Sequence, residues 1–163
     1  VRPTSERARE AIFDALGAIG AVLDATVLDL FAGSGALGIE ALSRGAAHVT
    51  FVDHSRDAIS VIEQNLRQTG FGGDGAAPYR VVRRDALSYL ALGGAVDLAL
   101  IDPPYAFTEW PAIFEHLDAR VAVLESDRVI EPSGGYVSYR SYRYGGTLVH
   151  IVRRDVDAQD VTS

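Results

Sequence analysis

Residues 33–38 read Gly-Ser-Gly-Ala-Leu-Gly, a G-x-G-x-x-G lying between an apolar run and a helical pattern. Asp53 follows about twenty residues after Gly33, at the tip of the next apolar run. Glycines at this spacing let a strand turn sharply into a helix and let a ligand approach the backbone. An acid at the next strand tip can accept hydrogen bonds from a ribose. A tight packing turn that binds nothing is the alternative reading. Either way, the chain is committed to a strand–turn–helix–strand unit, and the rest of the fold must be built around it.

The same rhythm continues on both sides. A helix capped by Thr4 or Ser5 carries Ala8, Ile12, Phe13, Ala15 and Leu16 on one face. Strands are expected at Thr26–Phe31, His48–Asp53, Tyr79–Arg84, Val96–Ile101 and Arg120–Glu125. Helices are expected from the glycine turn to Arg44, at Arg56–Gln68, at Ala86–Leu92 and at Thr108–Ala119. Two last strands, Tyr136–Tyr142 and Thr147–Arg153, flank Gly145-Gly146 as a hairpin. Alternating strands and helices predict an α/β fold, a mostly parallel sheet with helices on both faces. The 163 residues fit one domain, with residues 1–20 as a leading helix and 156–163 as a frayed tail. Ligands of such sheets bind beyond the carboxyl ends of the strands. Here those ends are Phe31, Asp53, Asp85 and Asp102, three of them carboxylates.

Several chemistries drop out. Without cysteine there is no disulfide, thiolate metal site or cysteine nucleophile, and the histidines show no metal-ligand spacing. Asp24, Asp29, Asp97 and Asp102 interrupt the longest apolar runs, so no membrane span is expected. The opening shows no basic stretch leading into an apolar run, which points to a cytoplasmic chain.

Two features separate the nucleotide ligands that the glycine turn would accept. Asp29 lies inside the first strand, four residues before Gly33, where a carboxylate would repel a pyrophosphate but favour a cationic ligand such as S-adenosylmethionine. The fourth strand then ends in Asp102-Pro103-Pro104-Tyr105, which hydride transfer does not require. An exocyclic base amine is a poor nucleophile because its lone pair is delocalised into the ring. Acceptors on its two N–H bonds favour the pyramidal geometry that can attack a methyl group. Asp102 can supply one acceptor and the Pro103 carbonyl another, while Tyr105 offers a face for a flipped-out base. A strand simply stopped by a proline turn is the plainer reading. Asp85 can either accept from an adenine amine or cap the helix that begins at Ala86. Arg9 falls on the inward face of the first helix, with its guanidinium either past the core edge or in a cleft. Phe107 and Trp110 are candidates for a substrate wall, with core packing the expected use of Trp110.

The stretch from Asp29 to Gly45, DLFAGSGALGIEALSRG, resembles the cofactor loop of the RsmD family, bacterial methyltransferases of guanine N2 in small-subunit ribosomal RNA. Arg2-Pro3-Thr4 with Arg7, Arg9 and Glu10, the Asp-Pro-Pro-Tyr segment, and Arg143-Tyr144-Gly145-Gly146-Thr147-Leu148 are similar too. The resemblance implies a class I S-adenosylmethionine-dependent methyltransferase fold, Rossmann-like, with a seven-stranded sheet whose last strand is antiparallel. It implies that Asp29, Phe31, Gly33 and Gly35 hold the methionine side of S-adenosyl-L-methionine, Asp53 the ribose, and Asp85 and Ala86 the adenine. Asp102, Pro103 and Tyr105 would present the guanine amine, with Arg2, Arg9, Pro104 and Phe107 on the substrate side and no metal. The implied partner is small-subunit (16S) ribosomal RNA or the assembled 30S particle, met by a monomer.

Two departures stand out. Family members usually carry a basic segment ahead of Arg-Pro-Thr, whereas this sequence opens at Val1, so weak retention of RNA is expected of the chain as it stands. The interval between Glu125 and Tyr136 is also short for a crossover helix. A DNA adenine-N6 methyltransferase is the nearest competing reading, though no room is left for a separate base-recognition domain. An NAD-dependent oxidoreductase is the alternative from another class, disfavoured by Asp29 and the double proline.

Overall fold

A computed structural model describes residues 5–73 and 75–156. Arg2 and the tail from 157 onward lie outside the described residues. The first helix, α1 (Glu6–Ala18), is capped by Ser5, whose hydroxyl accepts from the Ala8 N–H. It is followed by β1 (Thr26–Leu30), α2 (Ala36–Ser43), β2 (His48–Asp53), α3 (Arg56–Thr69), β3 (Tyr79–Arg83) and α4 (Ala86–Ala91). Then come β4 (Val96–Ile101), α5 (Trp110–His116), β5 (Ala119–Ser126), β6 (Tyr136–Tyr144) and β7 (Thr147–Arg154).

The seven strands form one sheet in the order β3-β2-β1-β4-β5-β7-β6. The first five are parallel, and β7 runs antiparallel to both β5 and β6. The mostly parallel sheet and the closing hairpin are as the sequence predicts. Central strands covered on both faces need apolar residues at nearly every position, and β1 is buried at four of its five. Helices α1, α2 and α3 contribute Phe13, Leu16, Leu42, Ile62 and Leu66 to the core on one face. Helices α4 and α5 contribute Leu90, Trp110, Ile113 and Phe114 on the other.

Several boundaries shift by one to three residues from the expected ones, and in β1, α5 and β5 the shift has a local reason. β1 stops at Leu30 because Phe31 takes φ of 58°, a left-handed conformation that no strand accommodates. Helix α5 spans Trp110–His116, not Thr108–Ala119. Pro111 sits in its first turn, Leu117 is already extended, and Ala119 pairs with Val96 in the sheet. β5 correspondingly begins at Ala119 and reaches Ser126.

The short interval after β5 crosses over without a helix. Ile130 and Tyr136 fill the space beside α5, both nearly buried. The Tyr136 hydroxyl accepts from the Ala119 N–H and lies 2.8 Å from the Ala119 carbonyl, to which it donates. Gly134 passes so close to α5 that a Cβ there would lie 2.6 Å from the Phe114 carbonyl oxygen. No helix among the described residues is long and apolar enough to cross a membrane.

Candidate active site

The glycine turn, the tip of β2 and the segment after β4 converge at the carboxyl end of the parallel strands. The turn is held shut by its own acid. One oxygen of Asp53 accepts from the Gly33 N–H at 3.0 Å, and the other accepts from the Ser55 N–H at 2.9 Å. Its side chain is 11% exposed, and each carboxylate oxygen can accept a second bond. Asn65 of α3 donates to the Ser34 carbonyl, a tether that no sequence motif announces.

The glycines divide the labour. Gly33 and Gly35 have φ of 60° and 83°, and Gly35 is the left-handed residue from which α2 starts. Gly38 is needed for space. A Cβ there would sit 2.4 Å from the Phe51 ring and 2.9 Å from an Asp29 oxygen, so α2 lies against the sheet only because position 38 has no side chain.

Asp29 is 1% exposed and accepts from the Gly38 N–H at 2.9 Å. Burial raises its carboxyl well above the usual carboxylate range; the Gly38 N–H opposes this, and the charges of Glu125 and Asp53 add to it. Burial thus works against the charge that the sequence argument placed on Asp29, and a cationic ligand above the turn would favour it. In the structure Asp29 ties α2 to β1 from below and does not line the cavity described next.

That cavity, of about 310 Å³, opens between the strand tips. Phe31, Val52, Leu87 and Phe107 give it apolar walls, and Asp53 and Asp85 supply carboxylates. His54, Ala86, Pro104, Ala106 and Glu109 complete the lining. Phe31 enters it through its left-handed backbone, a conformation costing on the order of 1–3 kcal/mol in a residue with a large side chain. Its ring meets Phe107 edge-on at 5.2 Å, and Phe107 meets Trp110 at 5.4 Å. Trp110 is buried behind Phe107 and takes the core role expected of it.

Asp85 does at least one of its two expected jobs. Its Oδ2 accepts from the N–H and the hydroxyl of Ser88, capping α4, and it faces the cavity as well. Of the segment after β4, Pro104 and Ala106 line the cavity, Pro103 is buried, and Asp102 is half-buried at the strand end. The turn closes through the Phe107 N–H donating to the Pro104 carbonyl. Tyr105 reaches the other way. Its hydroxyl lies 2.5 Å from the Thr147 hydroxyl at the start of β7, and its carbonyl accepts from Arg128.

Arg9 is not brought to the cavity. It lies 3.8 Å from Glu40 of α2, which also pairs with Arg44. The spacing of α1 put Arg9 on the inward face, but nothing in the local pattern revealed an acid waiting there. Val52, His54, Leu87, Ala106 and Glu109 were missed as lining residues, although His54, Leu87 and Ala106 simply adjoin Asp53, Ala86 and Phe107. Thr147 was missed as a partner of Tyr105 while sitting inside the quoted Gly145-Gly146-Thr147 motif. Among the described residues no cluster of His, Asp or Glu could hold a metal ion.

The arrangement resembles known proteins along most of its length. The Escherichia coli (strain K12) protein "Ribosomal RNA small subunit methyltransferase D" is 41% identical over 106 residues, 64% of this chain and 50% of that protein. The aligned segment thus spans about half the length of that relative. A Bacillus subtilis (strain 168) protein named "Putative rRNA methyltransferase YlbH" is 34% identical over 168 aligned positions, 94% of this chain and 88% of that one. The solved structure titled "Putative methyltransferase yhhF from Escherichia coli" superposes with a TM-score of 0.81 at 30% identity, covering 95% of this chain and 88% of that one. These matches bear out the resemblance read from the motifs, and the shared architecture is the Rossmann-like class I methyltransferase fold. Residues 1–148 match the family described as "Conserved hypothetical protein 95", and the chain belongs to that family.

Proposed function

We propose that this chain transfers a methyl group from S-adenosylmethionine to the exocyclic N2 amine of a guanine in small-subunit ribosomal RNA. The observation that carries the proposal is the shared wall. Pro104 and Ala106 line the cavity at the strand tips, so the Asp102–Tyr105 segment borders the place where a nucleoside fits.

The cavity suits an adenosine: flat apolar walls at Phe31 and Phe107, a carboxylate at Asp53 for the ribose hydroxyls, and Asp85 with Ala86 at the adenine end. S-adenosylmethionine, when bound, supplies a methyl carbon activated by its sulfonium. The glycine turn leaves open space at Gly33 for the methionine side. Asp102 and the Pro103 carbonyl each accept an N–H of the guanine amine and aim its lone pair along the line of displacement. The Tyr105 ring, fixed through its hydroxyl to Thr147, offers the base a stacking face. Rate enhancement comes chiefly from holding the two reactants in line. The names of the two relatives support ribosomal RNA as the substrate. The reading places a monomer in the cytoplasm, acting on the RNA or on the 30S particle.

The test is incubation with tritiated S-adenosylmethionine and purified small ribosomal subunits, followed by nuclease digestion. Label in N2-methylguanosine of the small-subunit RNA is expected. Label in DNA adenine, or calorimetry showing NADH binding without S-adenosylhomocysteine binding, would overturn the proposal.

A further inference from the structure

The β6–β7 hairpin has a composition unlike the rest of the chain. The protein carries 22 acidic residues and a net charge of −7, yet residues 136–154 contain no acid at all. They hold four of the 15 arginines (Arg140, Arg143, Arg153, Arg154) and four of the seven tyrosines (Tyr136, Tyr139, Tyr142, Tyr144). Arg154 is paired with Asp118 and Tyr136 is buried in the core, so both are structural. The others are organised on the surface.

Tyr139, Tyr142 and Tyr144 pack their inner edges against the core on the face covered elsewhere by α1, α2 and α3. They stay half-exposed. The rings of Tyr142 and Tyr144 lie 6.3 Å apart with planes 34° from one another. Arg140 donates to the Tyr142 hydroxyl and lies over the Tyr139 ring at 5.9 Å. Arg153 also lies over that ring, 5.2 Å from its centroid. Neither Arg140 nor Arg153 makes an ion pair with a carboxylate of the described residues. Cations held on aromatic faces, with no ion-pair partner among the described residues, offer phosphate contacts beside stacking platforms.

The row also leads to the site. β6 ends at Tyr144, which pairs with Thr147, and Thr147 is the residue bonded to Tyr105. At about 3.3 Å per residue, the stretch from Tyr139 to Tyr144 runs roughly 17 Å away from the catalytic segment.

Resting on the RNA-methylation reading, the geometry points to this face of the hairpin as the docking track for the RNA strand flanking the target guanine. Arg140 and Arg153 take phosphates, and Tyr142 and Tyr144 take bases. Polyanion complementarity selects RNA over an apolar partner, because the track is the acid-free part of an acidic molecule.

The experiment titrates small-subunit ribosomal RNA and a short unstructured RNA against four proteins at several salt concentrations. These are the unaltered chain, Arg140→Gln with Arg153→Gln, Tyr142→Leu with Tyr144→Leu, and Arg67→Gln on the exposed end of α3. Calorimetry with S-adenosylhomocysteine and sedimentation accompany each. The arginine pair should flatten the dependence of log affinity on log salt by about 1.4, two phosphates at about 0.7 each on single strands. The tyrosine pair should weaken binding at least about fivefold with the slope unchanged. Arg67→Gln and all cofactor affinities should match the unaltered chain. If RNA is methylated normally but the arginine pair behaves like Arg67→Gln, the track is excluded and the function stands. A chain that neither binds nor methylates any RNA defeats both readings. Variants that change sedimentation but not RNA affinity make the face a contact between copies and overturn the track. The arginine pair disturbs no buried side chain, so it decides the matter even if the tyrosine pair fails to fold.

Discussion

The β1–β4 half of the sheet and the β6–β7 hairpin make opposite uses of polar residues. In the parallel half, single acids are held locally: Asp53 by Gly33 and Ser55 and Asp85 by Ser88 at strand tips, and Asp29 by Gly38 inside β1. Each shapes a turn or a helix start, and the two at the tips leave capacity for a small polar ligand. The hairpin has arginines and tyrosines along its length and no acids. Its exposed side chains bind one another, not the backbone of a turn. The first pattern builds a cavity of fixed shape, whereas the second builds a surface. A hydrogen bond between Tyr105 and Thr147 runs from one to the other.

The comparison can be broken most sharply at Asp102. If it serves only the substrate side, Asp102→Ala should lower turnover by roughly 10²–10³-fold, the range for loss of one oriented polar partner of a reacting group. Affinity for S-adenosylhomocysteine should stay within about twofold in calorimetry. A matching loss of cofactor binding would merge the two regions functionally.

Next in size is Asp53→Ala. It removes the clamp on Gly33 and a ribose acceptor together, and should weaken S-adenosylhomocysteine by about 1.5–3 kcal/mol. RNA affinity measured without cofactor should not change.

Gly38→Ala tests the turn as packing. The added methyl meets Phe51, a fully buried ring, and a loss of about 1–3 kcal/mol in urea unfolding is expected. A neutral result would mean that α2 can lift from the sheet without cost.

The smallest effect should come from Thr147→Val, which removes the hydroxyl facing Tyr105. A neutral hydrogen bond contributes about 0.5–1.5 kcal/mol. Turnover should therefore fall roughly twofold to tenfold with cofactor affinity intact. No change in turnover would show that Tyr105 holds its place without the hairpin.

What could be read from the sequence divides along the same line. Capping chemistry acts within a few residues, so Ser5 and Asp85 were legible as boundaries. The role of Asp53 was legible because a strand–helix–strand unit fixes the distance from a glycine turn to the next tip. Arg9 shows the limit. Helical spacing gave its face correctly, but its partner Glu40 belongs to another helix, 31 positions along, and no periodicity links the two. The same holds for Thr147 and Tyr105, 42 positions apart. The end of α5 was misplaced because a helical pattern continues through residues that the sheet claims for β5. Phe31 looked like a last strand residue, and only the observed φ shows that it turns away to wall the cavity.

β7 lies between β5 and β6, so the sheet cannot be assembled in the order in which the strands are strung. β5 must keep its outer edge open while residues 127–146 pass by, and β7 closes the gap afterwards. Non-local pairing of this kind is slow, because the loop entropy is spent before the contacts form. The cofactor half, with its local strand–helix units, has no such wait. Tyr105 is anchored only when Thr147 arrives. In refolding, cofactor binding should therefore recover before methyl transfer, with an interval in which the chain holds its cofactor but has no fixed face for the base.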